Sequence, residues 1–439
     1  MGRKKILIVL AAAVLLLSGC AASTVDQMYC LPKRSENYND LQTAIDDAMT
    51  DLEYCAPLSG ENQQPVHMAD LDGDGVEEYL VFTKGSTEKP LQILIFQQRD
   101  GQYALTQRVE SYGSAYDQVE YLHMDEEGGL EILVGSQLSD QVLRAVTVYS
   151  YRTGQLEQLT TANYTKFLSC DLNADGYREM LVIHPGQTET DKGIAELYYM
   201  DGSILCRSNE GSLSEPADKI KRIISGNLYG GKEAVYVAST VEESAIITDV
   251  FTIVDGVFTN VSFSNESGTS VKTLRNYYVY AEDIDGDGVV ELPSLITMHT
   301  MEQTPSAQQQ YLIRWYAMAA DGSEVDKLYT YHNFVGGWYL ELSREFASRV
   351  TVVQVGNGYE CYLWDEDYTQ PSKILTIYAF TGQNREEMAI SDNRFVLYKT
   401  DTTVYSARLE PEAANMEIDR ETVTESFHMI RRDWKTGET

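Results

Sequence analysis

The sequence predicts an all-β protein: a β-propeller of six or seven four-stranded blades, preceded by a helix and followed by a small strand-and-helix segment. Three observations predict it. An acidic loop recurs at a spacing of roughly 50 residues, the size of one four-stranded blade. Short runs rich in β-branched and aromatic residues follow each loop, as strands do. A turn glycine then falls at the same distance downstream of the loop in four successive units.

The clearest loops are Asp70-Leu71-Asp72-Gly73-Asp74-Gly75-Val76-Glu77-Glu78 and Asp283-Ile284-Asp285-Gly286-Asp287-Gly288-Val289-Val290-Glu291. A third reads Asp171-Leu172-Asn173-Ala174-Asp175-Gly176-Tyr177-Arg178-Glu179. Carboxylates at positions 1, 3 and 5 of such a loop converge. A carbonyl at 7 and a carboxylate at 9 complete an oxygen cage suited to a hard cation such as Ca²⁺, so these are calcium-type loops. Position 12 is Val81, Val182 or Ser294, where an EF-hand would carry Glu and continue as a helix. Tyr79-Leu80-Val81-Phe82 and Glu179-Met180-Leu181-Val182-Ile183 read instead as strands. The loop His123 to Glu131 keeps Asp125, Glu127 and Glu131 and is expected to bind weakly or serve as a turn. The loop Ser225 to Glu233 keeps only Glu233 and is expected to bind nothing.

Gly101, Gly154, Gly202 and Gly256 are the recurring turn glycines, and an insertion moves the fifth to Asp321-Gly322. Asp-Gly between apolar runs signals a hairpin. Each unit is therefore strand, acidic loop, strand, connection, strand, glycine turn, strand. Five units are visible, and Lys373 to Gly382 reads as part of a sixth. The propeller is placed at 64–390. In 391–439, Arg394 to Tyr398 and Thr403 to Arg408 read as strands and Thr422 to Trp434 as a closing helix. They form either the last blade or a cap.

These loops resemble those of the integrin-α-like FG-GAP and VCBS-type repeats, although the Phe-Gly and Gly-Ala-Pro words are absent. The resemblance covers about residues 64 to 345. It implies a calcium-carrying β-propeller whose acidic loop joins the first two strands of a blade. Matched position for position, it implies metal-ligand roles for Asp70, Asp72, Asp74 and Glu78. The same matching assigns Asp171, Asn173, Asp175 and Glu179, and Asp283, Asp285, Asp287 and Glu291.

Arg3, Lys4 and Lys5 precede the apolar stretch Ile6 to Leu17 and the word Leu17-Ser18-Gly19-Cys20. A basic n-region, an apolar h-region and a small-residue cleavage site form a secretory leader, here 1–19. The last four residues resemble a bacterial lipobox, which implies a lipid on Cys20 and a tether over 20–34. The expected location is the bacterial cell envelope, on the exported face of the membrane. The formal charge of −33 argues against nucleic acid as a partner. Export permits disulfides. Cys30 and Cys55 flank the helix predicted within 35–55 and are the expected pair, while Cys170 and Cys206 are a second candidate pair and Cys361 is left over. Leu41, Ile45, Ala48 and Leu52 give that helix an apolar stripe to lay on the propeller.

The six histidines show no HExxH or zinc spacing, and no nucleophile elbow or phosphate loop is present. The leading expectation is a non-enzymatic binding or scaffold lipoprotein. Its partner would be a protein or glycan of the envelope, and Tyr198-Tyr199, Tyr277-Tyr278 and Trp338-Tyr339 are candidate contact aromatics. The alternative is a polysaccharide-acting hydrolase or lyase with its site in the propeller channel. A third reading is an assembly factor docking through Val423, Phe427 and Ile430, which requires those residues to be exposed.

Overall fold

The computed structural model describes residues 36–431 apart from 139–142, 153, 189, 243–244, 300–310 and 417; for 36–39 it describes the backbone alone. The leader, Cys20 and Cys30 lie outside the described residues. Six antiparallel sheets of four or five strands follow one another along the chain. In the first, Val66–Ala69, Glu78–Gly85, Leu91–Arg99 and Gln102–Ser111 pair in order. Leu52–Tyr54 extends the edge beside Val66–Ala69 by pairing with the far half of Glu78–Gly85. The expected unit recurs, with each acidic loop running into the second strand. In the fifth sheet the strand before the loop shrinks to a single bridge between Glu282 and Glu291. The glycine turns are hairpins. Asp100 and Gly101 have φ of +52° and +82°, and Asp255 and Gly256 +50° and +77°, the left-handed pair that matches the twist of flanking strands.

Side-chain alternation shows how the sheets stack. In Glu78–Gly85, Leu80 and Phe82 join Ile132 and Val134 of the second sheet. Leu133, on the opposite face of that second sheet, packs on Met180 and Val182 of the third. Leu181 and Ile183 in turn meet Val235 and Val237 of the fourth. Tyr236 meets Leu292 and Tyr316 of the fifth, and Trp338 and Leu340 meet Cys361 and Ile377 of the sixth. In the first four sheets the second strand is buried on both faces, which explains its apolar run; in the fifth and sixth it is only partly buried. Full burial of each such side chain is worth about 1.5–3 kcal/mol.

The two outer faces are covered by helices. Glu36–Ala48 lays Leu41 and Ile45 on Val81, Leu94 and Phe96 of the first sheet. Arg385–Ile390 lays Ala389 on Phe380 and Val404 of the sixth. Among the described residues, no core cluster joins the sixth sheet to the first.

Three local expectations change. Leu52 leaves the helical stripe for a strand, after a turn in which Asp51 has a φ of +62°. The closing helix is only Arg420–Glu425, and Phe427–Met429 becomes a fifth strand beside Trp338–Leu342. Thr422, Thr424 and Ser426 are weak helix formers, and the open sheet edge offers Phe427–Met429 a full set of backbone partners. Val423 and Phe427 are therefore buried, and the exposure that docking through them requires is missing. Cys170 and Cys206 are both free. They sit on the first and fourth strands of one sheet, about 14 Å apart at 4.8 Å per strand, beyond the reach of a disulfide. Cys55 has no disulfide partner among the described residues, and its expected partner Cys30 lies outside them.

Candidate metal centres

The three strong loops fold by one hydrogen-bond scheme. The carboxylate at position 1 accepts from the amide at position 6: Gly75 N to Asp70 Oδ2, 2.9 Å; Gly176 N to Asp171 Oδ2, 3.0 Å; Gly288 N to Asp283 Oδ2, 3.0 Å. Positions 3 and 5 each accept from the amide two residues on, the short-range turn that Asp and Asn favour. Examples are Val76 N to Asp74 Oδ1 at 2.7 Å and Asp175 N to Asn173 Oδ1 at 2.8 Å. Position 9 reaches back to the amide at position 2: Glu78, Glu179 and Glu291 accept at 2.9, 2.7 and 3.1 Å. The left-handed residue at position 4 is Gly73 or Gly286 in two loops. In the third it is Ala174, held at φ +62°, a conformation costly for any residue with a Cβ.

The amides fix the carboxylates and leave oxygens aimed inward. Asp70, Asp72 and Glu78 each offer one oxygen within 4.8 Å of the others, as do Asp171, Asp175 and Glu179, and Asp283, Asp285 and Glu291. In each group the Glu is buried and the position-3 or position-5 Asp is exposed. Burial raises the carboxyls of Glu179 and Glu291 to about 7. The nearby Asp charges add to that rise, and the position-2 amide opposes it. Asp171 Oδ1 and Glu291 Oε1 are buried without a hydrogen-bond partner. Anionic oxygens this close repel strongly in a low-dielectric setting, and a cation among them removes both the repulsion and the unmet acceptors. The donors are all oxygen, which suits a hard ion rather than a thiophilic one. These three clusters could hold a metal ion; Asp74 and Asp287 lie outside the tight carboxylate groups, and Asn173 sits beside its group, its Nδ2 donating to Asp175 Oδ2 at 2.8 Å.

Two basic residues were missed by sequence reasoning. In the loop His123 to Glu131, Glu131 still accepts from Met124 N at 3.1 Å, but the guanidinium of Arg152 occupies the centre. It pairs with Asp125, lies 3.4 Å from Glu127 Oε2 and 3.7 Å from Glu131 Oε1. In the Asp283 loop, Lys327 pairs with Asp287 and lies 3.8 Å from Asp285 and 3.9 Å from Glu291. Arg152 stands just before the turn glycine Gly154, in the one acidic loop whose first position is His rather than Asp. That combination is the sequence signal for it.

The loops also hold one another. Leu130 N donates to Leu71 O at 2.9 Å and Arg178 N to His123 O at 2.9 Å. Asp171 N donates to Glu233 Oε2 at 3.3 Å, and Val290 N to Asn227 O at 2.9 Å. Five successive loops are thus tied in one belt. A Cβ on Gly73 would meet Gly128 O at 2.6 Å, so the first two loops touch through bare backbone.

Away from the loops, a cavity of about 240 Å³ lies between the fifth and sixth sheets, with Tyr277, Tyr311, Phe334 and Tyr359 in its wall and His332 and Asn333 beneath. Among the described residues, no Asp, Glu, Lys or Arg lines it. Of the aromatics expected to make contacts, Tyr277 is half-buried and Tyr278 exposed, whereas Tyr198, Trp338 and Tyr339 are core. No helix among the described residues is long and apolar enough to cross a membrane.

No family model matches the chain, and no curated protein matches it. Solved structures similar to it include the exotype rhamnogalacturonan lyase YesX, 12% identical with a TM-score of 0.27, covering 74% of this chain and 69% of that one. A putative 6-phosphogluconolactonase from Bacteroides uniformis is 13% identical with a TM-score of 0.27, covering 72% and 86%. Saccharomyces cerevisiae Sqt1 is 10% identical with a TM-score of 0.29, covering 79% and 95%. Likeness at this level assigns no activity.

Proposed function

We propose that the chain is a calcium-stabilised, propeller-like repeat protein of the FG-GAP and VCBS type, exported, tethered by a lipid on Cys20, and acting in the cell envelope as a non-enzymatic binding or scaffold protein. One observation carries the calcium part: three loops, in three different sheets, build the same all-oxygen cluster around inward-facing buried carboxylates. Asp70, Asp72, Asp74 and Glu78, with their counterparts at 171–179 and 283–291, are the ligand set. An ion there supplies charge neutralisation and ties the first and second strands of a sheet. It takes part in no reaction.

The binding part is supported by the charge-free aromatic cavity, in a chain whose formal charge is −33. Such a wall suits a neutral ligand.

The test is thermal unfolding of the full chain with chelator and then with millimolar calcium. Sites of extracellular type bind with dissociation constants of order 10⁻⁴ to 10⁻³ M, so calcium raises the melting temperature by mass action. Asp72→Ala, Asp175→Ala and Asp285→Ala each lower that increment, and magnesium substitutes poorly because it demands a tighter octahedral shell. Equal melting temperatures with and without calcium reduce these loops to turns.

A further inference from the structure

We propose that Lys327 is a resident competitor for the cation of the Asp283 to Glu291 loop, so that the chain's cation sites fill in order rather than together. The inference rests on the cation reading above and concerns how one of its three sites is regulated.

The argument starts in the backbone. In the fifth sheet Trp315 pairs with Leu328 but Tyr316 pairs with Asp326, which leaves Lys327 as the extra residue of a β-bulge. A bulge re-aims the side chain it carries. The same bulge occurs at the same place in two other sheets. Ile95 pairs with Gln107 and Phe96 with Leu105, leaving Thr106; Val148 pairs with Thr160 and Tyr149 with Gln158, leaving Leu159. All three bulges stand five residues beyond the turn glycine, after Gly101, Gly154 and Gly322. Of the three bulged positions only Lys327 is a cation; Arg207, five residues beyond Gly202, lies on a strand with no bulge and pairs with Glu196 at 3.0 Å instead.

The bulge delivers the Lys327 ammonium to Asp287, with Asp285 at 3.8 Å and Glu291 at 3.9 Å. Glu291 is fully buried and its Oε1 has no hydrogen-bond partner, so the inward acceptor that a metal would use faces this ammonium. Asp287 Oδ1 already accepts from Val289 N at 2.9 Å, and Lys327 holds the remaining Oδ2. A divalent ion held by Asp283, Asp285 and Glu291 would meet this ammonium, which lies 3.8 Å from Asp285 Oδ2 and 3.9 Å from Glu291 Oε1, and must displace it. Among the described residues, no Lys or Arg forms an ion pair with the carboxylates of the Asp70 or Asp171 clusters. The acidic loops thus form a graded series: two open, one held by a displaceable ammonium, and one closed by Arg152.

Calcium titration of the chelator-stripped full chain by calorimetry tests this. Wild type is expected to show two tighter sites and one about fivefold weaker, the weight of a partly exposed ion-pair cluster. Lys327→Met should bring the third site into the tighter class, whereas Lys327→Arg should keep it weak. Asp285→Asn, in an otherwise wild-type chain, should delete the weak class alone, and this holds the proposal testable even where Lys327→Met does not fold. Three equal wild-type sites, a third site unmoved in folded Lys327→Met, or loss of a tight site in Asp285→Asn each overturns the proposal and leaves the cation reading standing. No calcium uptake by wild type or Lys327→Met overturns the cation reading itself.

Discussion

Replacing Arg152 by Met removes the one positive group inside the His123 to Glu131 loop while keeping a side chain of similar length. Asp125 and Glu131 are 9% and 1% exposed, so they become buried charges with no cation beside them. Breaking a buried ion pair by removing one partner costs about 3–5 kcal/mol. The Arg152 side chain is 20% exposed, which brings the expected loss to about 2–3 kcal/mol. Arg152 Nη1 also donates to Ser203 O at 3.2 Å in the next sheet, a smaller contribution in the same direction. Urea unfolding followed by fluorescence reads the loss as a lower midpoint. The informative part is the rescue. With the guanidinium gone, Asp125, Glu127 and Glu131 form a fresh oxygen cluster, and 5 mM calcium binding at 10⁻⁴ to 10⁻³ M restores about 1–2 kcal/mol. That restoration comes on top of the increment calcium gives wild type through the other loops. Arg152→Lys, which keeps a cation, should lose less and gain no extra rescue. If calcium stabilises Arg152→Met by no more than it stabilises wild type, Arg152 does not stand in for a metal.

Other consequences are simpler to check. Ala174→Gly relieves the left-handed strain at φ +62°, and after the entropy of glycine is charged against it should stabilise by about 0.5–1 kcal/mol in urea; a destabilised variant would show that the Ala174 Cβ makes a needed contact. Burial holds the His332 imidazole down at about 3, so the native state keeps it neutral while the unfolded chain protonates near 6.5. Stability from this group is present above 6.5 and lost as pH falls, by about 2 kcal/mol at pH 5, and His332→Phe should flatten that acid limb in pH-dependent melts. Burial raises the Cys361 thiol to about 12 and the Cys170 thiol well above its ordinary value, so alkylation of the native protein read by mass spectrometry should modify Cys206 and spare those two. Cys20→Ala should release the mature chain from membranes or block its processing; a variant that stays membrane-bound and processed like wild type removes the lipid tether from the proposal.

Much of this was legible in the residues because it is local. The Asp-x-Asp-x-Asp-Gly spacing determines which amide meets which carboxylate within nine residues, and Asp-Gly at 100–101 and 255–256 determines a hairpin. The apolar run Met180 to Ile183 declared a strand buried on both faces. What escaped was set by distant partners. Lys327 looks like an ordinary solvent-facing strand residue until the bulge turns it, and Arg152 is marked only by its place before Gly154 and by the His at position 1 of the loop in its repeat. Phe427 and Val423 keep helical spacing, yet the edge at Trp338–Leu342 claims Phe427 as a strand residue. Two cysteines in one repeat look like a pair until the strand order places two strands between them.

The belt between the loops has a consequence for how such a chain can change. Its ties run mainly through main-chain groups: the amides of Leu130, Arg178 and Val290 meet the carbonyls of Leu71, His123 and Asn227. Substitution leaves those groups in place, proline at the donor aside. A repeat can therefore lose the acidic residues at its first positions, as Ser225 to Glu233 has, and still hold its place through its main chain and the retained Glu233. The ligands are free to drift one repeat at a time while the loops stay fastened, so a mixture of strong, filled and blank loops is a stable condition for this architecture.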